Sequence, residues 1–182
     1  MKHLQKLKHA ATGLVVVGAL ALSATQGVHA GVIVIGNDVV DRPSQDTWRD
    51  FVVSLDTEIF PVDGQVIDWS VYASTAGELA LLILDQGVVV SSDQRYVNPG
   101  YNAFAFVPDS GDSLVAGGYN VGLWMGDAVV DFTYGTPGIG EDGLDIISWC
   151  PSNGCSPYAP TAGDALEFVN WSSQAYRTYS VR

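Results

Sequence analysis

Three acidic side chains in a glycine-rich stretch have the chemistry to hold a cation. Glu141, Asp142 and Asp145 lie within residues 135–145 (GTPGIGEDGLD), which contain four glycines. Calcium takes hard oxygen ligands on flexible turns, although an EF-hand would place its acids at alternate positions and end on a late Glu. Two interpretations therefore stay open: a calcium site at these residues, or a glycine-rich surface loop without a ligand.

Paired carboxylates could also hydrolyse a glycosidic bond. The chain has sixteen Asp and four Glu, the commoner catalytic choice: Glu58, Glu78, Glu141 and Glu167. With so many acids, some pair will reach a suitable separation by chance, and any single carboxylate is more often a solvated surface group. A carboxylate-dependent glycan-degrading enzyme is therefore the lowest-ranked functional hypothesis.

Aromatic residues point to a different use, because the chain contains five Trp and eight Tyr. Exposed aromatic rings present a flat apolar surface that can stack on a sugar ring, while neighbouring polar groups bond its hydroxyls. Strand alternation places Trp124 opposite Val121 and Leu123, which predicts that it lies on the less buried face. We predict a ligand-binding surface formed by Trp149, Asn153, Tyr158, Arg95 and Trp124.

The cysteine pair lies beside that predicted surface. Cys150 and Cys155 enclose Pro-Ser-Asn-Gly, and in an oxidising compartment such a close pair most simply forms a local disulfide. Its small loop would pin a turn and add little global stability. The alternative role of Trp149 is to pack against this bridge.

Residues 1–30 have the three-part pattern of a secretory signal. A segment with three lysines precedes the apolar residues 13–24, and small residues occupy both required positions in Val28-His29-Ala30. The apolar core is too short to span a bilayer. We predict cleavage after Ala30 and a secreted or periplasmic location, and we expect no stable membrane insertion.

Removing this segment changes the chemistry of the chain. Residues 31–182 contain no Lys and no His, and their five Arg against twenty Asp and Glu give a formal charge of −15. A Ser-His-Asp triad, a histidine-ligated metal, Schiff-base chemistry and a P-loop are therefore all excluded. Because of these exclusions, we expect a non-catalytic role. A surface this acidic repels nucleic acid, so we also expect no nucleic-acid partner.

Short apolar runs alternate with turn clusters from residue 31 to the end, which predicts one antiparallel all-β sandwich domain over 31–182. Residues 78–84 (ELALLIL) would also suit a helix, but their length and flanking turn residues favour a buried strand. The predicted strands are 32–35, 48–55, 65–73, 78–84, 88–91, 102–107, 119–125, 128–134, 165–171 and 175–181.

The order of these elements resembles uncharacterised secreted bacterial jelly-roll domains over residues 60–182. The likeness lies in VIDWSVYASTAGELALLILDQ, YNAFAFVP, DSLVAGGYNVGLWMGDAVVDFTY and AYRTYSVR. The matching residues are packing and turn positions: Trp69, Tyr72, Gly100, Asn102, Phe104, residues 115–118 and Gly122. The resemblance implies a jelly-roll sandwich that works as an adhesive or carbohydrate-binding module, and it implies no catalytic residue.

Two hypotheses thus rank above the enzyme. The first is a secreted binding module for a glycan or another cell-surface component, with calcium as a structural ion. The second is a structural component of an envelope or matrix that self-associates. An exposed aromatic cluster on a sheet face would favour the first, and an open edge strand would favour the second.

Overall fold

Strands supply nearly all regular structure in the computed structural model, which describes residues 31–45, 49–134, 157–166 and 177–182. No helix occurs among these residues. The strands are β1 Ser44–Gln45, β2 Phe51–Ile59, β3 Gly64–Gln65, β4 Asp68–Thr75, β5 Gly77–Asp85, β6 Val88–Val97, β7 Gly100–Ala105, β8 Leu114–Val115, β9 Asn120–Met125, β10 Val129–Tyr134 and β11 Arg177–Tyr179.

The strands form two main antiparallel sheets and a small ribbon. The first sheet has the order β1-β10-β4-β7, the second β2-β9-β5-β6, and β3 pairs with β8. When the eight main strands are counted along the chain without β3, β8 and β11, the sheets read 1-8-3-6 and 2-7-4-5, the strand order of a jelly roll. The predicted single antiparallel β-sandwich is confirmed.

The C-terminal strand lies in the fork between β10 and β4. β11 pairs with β10, and the chain then bonds to both neighbours at Ser180. The Ser180 N–H donates to the carbonyl of Asp131 at 3.1 Å, and the Ser180 carbonyl accepts from the N–H of Tyr72 at 3.0 Å. The end of the chain therefore joins the two halves of the first sheet.

The core between the sheets follows the alternation that the sequence predicts. On β4, Trp69, Val71 and Ala73 are buried and their neighbours face outward. Alternation along residues 65–73 predicts that Ile67 lies on this buried face with them, but Ile67 precedes the strand and is 54 % exposed. The inner cluster is completed from both sheets, with Phe51, Val53, Leu55, Leu79, Leu81, Ile83, Leu123, Met125, Phe132 and Tyr179 among its members.

The second sheet is buried on both faces along its two central strands, β5 and β9. Along β5 every residue from Leu79 to Leu84 is buried, which explains its unbroken apolar run and confirms the strand prediction. The outward-facing residues form a second apolar cluster of Val52, Ala80, Leu82, Leu84, Val89, Trp124 and Leu166. The segment 157–166 contributes Leu166, with Ala159 packed against the cluster.

The first predicted strand is wrong. Residues 32–35 have no strand partner in the described structure, and the first strand begins only at Ser44. The chain turns at Gly36, which has φ +109° and whose added Cβ would lie 2.6 Å from the carbonyl oxygen of Val181. Its neighbour Asn37 donates its N–H to that oxygen, so pairing starts beyond the apolar run.

Candidate functional site

Most of the predicted site residues lie outside the described residues. This applies to the predicted disulfide, the predicted calcium ligands and two of the predicted ligand contacts: Cys150, Cys155, Glu141, Asp142, Asp145, Trp149 and Asn153. Within the described ranges, no group of three or more His, Cys, Asp or Glu side chains is placed to hold a metal ion. The disulfide and the calcium site stay predictions.

The expectation that Trp124 lies on a less buried face is wrong, because its side chain is 1 % exposed. The alternation itself holds: Trp124 pairs with Ala80, opposite in direction to Leu123. However, the outer face of the second sheet carries its own apolar layer, and Trp124 packs within it. The indole nitrogen is buried and has no hydrogen-bond partner among the described residues, so this ring serves packing and is not open to a ligand.

Arg95 is engaged in a contact between β6 and β7. Its Nη2 lies 2.6 Å from Oδ1 of Asp93 and donates to the carbonyl oxygens of Val107 at 3.3 Å and Ala105 at 3.5 Å. The side chain is 29 % exposed. Arg95 pairs with Leu79 on the inner face of the second sheet, whereas Trp124 lies on the outer face, so the two do not form one surface.

Asp93 is a buried polar centre that the sequence prediction missed. Its side chain is fully buried, and Oδ2 accepts hydrogen bonds from Trp69 Nε1 at 2.8 Å and from the N–H of Val107 at 3.2 Å. Burial raises the pKa of this carboxyl, and the bonds from Trp69 and Val107 and the charge of Arg95 partly offset that rise. Asp93 therefore connects the two sheets at the edge of the sandwich.

Tyr158 is 76 % exposed and adjoins Ala159, which packs against the outer layer of the second sheet. Of the predicted binding residues in the described part of the chain, it alone presents most of its side chain to solvent. Its position is on the side of the sheet opposite to Arg95. The predicted surface is thus not assembled from its described members.

A different aromatic surface is formed by the outer face of β4 and β7, which we call the tyrosine face. Three cross-strand pairs build it: Tyr72 with Tyr101, Ser70 with Ala103, and Asp68 with Ala105. Tyr101 is 63 % exposed, and Tyr72 and Ser70 are half-buried. On the opposite side of the same strands, Trp69 and Phe104 pack in the core with ring centroids 5.0 Å apart.

The shape of the tyrosine face suits a flat ligand. Directly paired residues on one sheet face have Cβ atoms about 5 Å apart, so Tyr72 and Tyr101 form one aromatic block. Beside them, Ser70 and Ala103 form a low floor, and the exposed carboxylate of Asp68 stands at the far end. Part of this surface was readable from the sequence, because the alternation of residues 65–73 predicts that Asp68, Ser70 and Tyr72 face outward.

Residues 37–43, which we call the strap, lie on another part of the outer face of the first sheet, at β10 and the residues after β11. Arg42 donates from Nε to Ser180 Oγ at 2.7 Å and from Nη1 to Thr133 Oγ1 at 3.3 Å. The hydroxyl of Ser180 in turn donates to the carbonyl of Val40 at 2.6 Å. These polar contacts hold the strap on β10 and β11 and leave the tyrosine face uncovered.

Under the strap lies a second buried carboxyl, Asp131, which is 1 % exposed. Burial raises its pKa, the N–H of Arg42 lowers it, and the charge of Asp41 and a side-chain hydrogen bond to Asp41 raise it again. Ser74 donates its hydroxyl to Asp131 as well. Because the two carboxyls are in hydrogen-bond contact, they are too close for the separations of about 5–10 Å that glycosidases use.

An open groove of about 640 Å³ lies at the β3–β8 ribbon, lined by Asp63, Gly64, Gln65, Val90, Leu114, Val115, Ala116 and Tyr119. Its carboxylate and amide side chains, Asp63 and Gln65, are already bonded within the chain. Asp63 accepts from the N–H of Gly117 at 2.8 Å, and Gln65 donates to Ser113 Oγ at 3.0 Å. The groove contains one aromatic ring, Tyr119, which is half-buried. The groove is therefore a weaker candidate for ligand binding than the tyrosine face.

The described part of the chain contains no helix of the length and apolar character needed to cross a bilayer. Comparisons of the chain with protein-family models, with curated proteins and with solved structures find no match.

Proposed function

We propose that this protein is an exported, non-catalytic binding module that holds a glycan on the tyrosine face. The observation that carries the proposal is the cross-strand pair of Tyr72 and Tyr101, left uncovered beside a floor of Ser70 and Ala103. The export part of the proposal is supported by the signal pattern of residues 1–30.

Solvation energetics support a ligand at this place. A tyrosine ring buries a large apolar area when it is covered, and its hydroxyl keeps a polar contact with water or ligand. Tyr101 is exposed while the strap covers the neighbouring strands. A sugar ring laid on Tyr72 and Tyr101 would cover their apolar faces, and the hydroxyl of Ser70 and the carboxylate of Asp68 could bond its hydroxyl groups.

Charge narrows the class of glycan. The chain from residue 31 carries a formal charge of −15, and Asp68 adds a negative charge on the face itself. Such a field disfavours the approach of anionic polymers such as uronates or sulfated glycans. Neutral glycans are therefore the expected ligands.

The test is a glycan array followed by calorimetric titration of the glycan that binds best. Tyr101→Ala and Tyr72→Ala should each weaken binding by about 5- to 150-fold, since stacking on one aromatic ring contributes about 1–3 kcal/mol in comparable ring stacks. Tyr96→Ala is the matched control: Tyr96 is also 63 % exposed but belongs to β6 of the other sheet. It should bind like the wild type.

Equal losses in all three variants, or wild-type affinity in Tyr101→Ala, would show that the tyrosine face is not the contact surface. Absence of binding to every glycan would contradict the proposal as a whole. Thermal denaturation of the protein with calcium and with a chelator tests the calcium prediction separately, because a structural ion at Glu141, Asp142 and Asp145 would make folding stability depend on calcium.

A further inference from the structure

We infer that residues 32–34 of one copy of this protein add as a short strand to the outer edge of β7 in a second copy. This self-association is a second activity that does not depend on glycan binding. It joins two features that the single chain leaves incomplete: an exposed strand-forming segment and an open strand edge.

The donor is the segment Val32-Ile33-Val34. All three residues are β-branched, the type that most favours strands, and the sequence predicts a strand here. In the described structure they have no strand partner and are 77 %, 52 % and 53 % exposed. An exposed, strand-forming apolar segment of this kind readily adds to another sheet.

The acceptor is β7, the last strand of its sheet. The N–H of Phe106 bonds to the carbonyl of Ile67 at 2.9 Å, and antiparallel pairing alternates in direction. The backbone groups of Phe104 and Asn102 therefore face β4, while those of Tyr101 and Ala103 face away from it. In agreement, residues 70 and 72 of β4 use their N–H groups on the opposite side, toward residues 180–182.

The other described edges offer less room for an added strand. β6 is covered where Ser92 bonds to Ser110 and Val89 to Asp164. β1 has two residues, and β2 carries a bulge between Leu55 and Ile59, which protects an edge from pairing.

Arg95 sets the length of the open edge. It bonds to the carbonyl of Ala105, so the backbone of residues 101–103 is the accessible part of β7. This stretch has the same length as the donor segment. Because donor and acceptor are different surfaces, the contact is head-to-tail and produces open chains, or rings where the rotation between copies closes.

The test is sedimentation velocity of the purified mature protein over a concentration series. The wild type should show species that grow with concentration, and Val34→Asp should weaken this association at least about tenfold. Val62→Asp is the matched control, because Val62 is 54 % exposed against 53 % for Val34. It should associate like the wild type.

Ala103→Pro removes the acceptor, since its N–H faces away from β4 and proline is tolerated at such edge positions. A mixture of Val34→Asp with Ala103→Pro is the decisive sample. The first variant keeps an acceptor and the second keeps a donor, so together they should form a one-to-one dimer that grows no further.

A wild type that stays monomeric at every concentration would overturn the inference, as would association that Val34→Asp leaves unchanged. Val34 lies in an exposed segment outside the sheets, so this variant tests the inference even if Ala103→Pro does not fold. Val34→Asp should also bind glycan normally. Loss of self-association with glycan binding intact, or the reverse, separates this inference from the proposed function.

Discussion

The outer faces of the two sheets differ in what covers them. The second sheet carries Leu82, Leu84 and Trp124 on its outer face, and all three are buried. The first sheet carries polar and small residues on its outer face, where the strap is held by hydrogen bonds and the tyrosine face stays open. The same jelly roll thus has one sheet that works mainly as a packing layer and another that presents a surface.

This difference teaches where function can reside in a chain with few reactive side chains. Residues buried on both faces of a sheet are constrained by close packing, so their types follow from volume and shape. The residues of the tyrosine face have no such constraint, and Tyr101 is exposed without a packing role. The glycan binding that we propose would give an exposed aromatic side chain at this position a use.

The largest expected effect comes from truncating neighbours on β5. Leu81→Ala and Leu82→Ala should each lower the free energy of unfolding by about 2–5 kcal/mol, because both side chains are buried although they face opposite sides of the sheet. On β4 the neighbours should differ: Val71→Ala should cost about 2 kcal/mol, and Tyr72→Ala about 1 kcal/mol or less. Urea denaturation of the four variants measures this.

A small cost for Leu82→Ala would mean that the outer layer of the second sheet is not a true core, and the contrast between the sheets would fail. If Tyr72→Ala lowered the free energy of unfolding as much as Val71→Ala, the outer face of β4 would be packed like its inner face. The contrast between the two sheets would then be contradicted as well.

Asp93, which ties the sheets together, gives the next effect. Asp93→Ala removes the hydrogen-bond acceptor of Trp69 Nε1 and of the N–H of Val107, and it removes the ion-pair partner of Arg95. It should lower the free energy of unfolding by about 2–4 kcal/mol. Asp93→Asn keeps an acceptor oxygen in place and should cost less. If chemical denaturation finds the two variants equal, the hydrogen bonds to Asp93 do not contribute to stability.

The smallest effect is a pH dependence that should map to the strap. Burial raises the folded-state pKa of Asp131 above the unfolded value near 3.8. Between the unfolded pKa and the folded pKa, the folded state therefore binds more protons than the unfolded state. The contribution of Asp131 to stability is therefore full below the unfolded pKa and is lost as pH rises through the folded pKa. The pKa of Asp93 is also raised, so its contribution to stability changes with pH in the same direction.

Unfolding free energies measured from pH 3 to pH 8 should show this component in the wild type and lose it in Asp131→Asn. A profile that Asp131→Asn does not alter would show that its carboxyl is ionised alike in both states.

Much of the fold could be predicted from local pattern. Alternation in residues 65–73 predicted the inner and outer faces of β4, and the apolar run of residues 78–84 with its flanking turns predicted a buried strand. These predictions hold because side-chain direction along a strand has a period of two. The run 32–35 has the same local character but forms no strand, because a strand also needs a partner.

The candidate site depended on what the fold brings together. The residue types at Tyr72 and Tyr101 are visible in the sequence, but only the register of β4 with β7 makes them neighbours. Likewise, alternation correctly placed Trp124 opposite to Leu123, yet the sequence pattern does not say whether another layer covers that face. Local pattern thus determined the strands, the direction of their side chains and the acidic charge, because these depend on adjacent residues and composition alone. Pairing register and layer packing decided which aromatic residues are exposed together, because both depend on contacts between residues far apart in the chain.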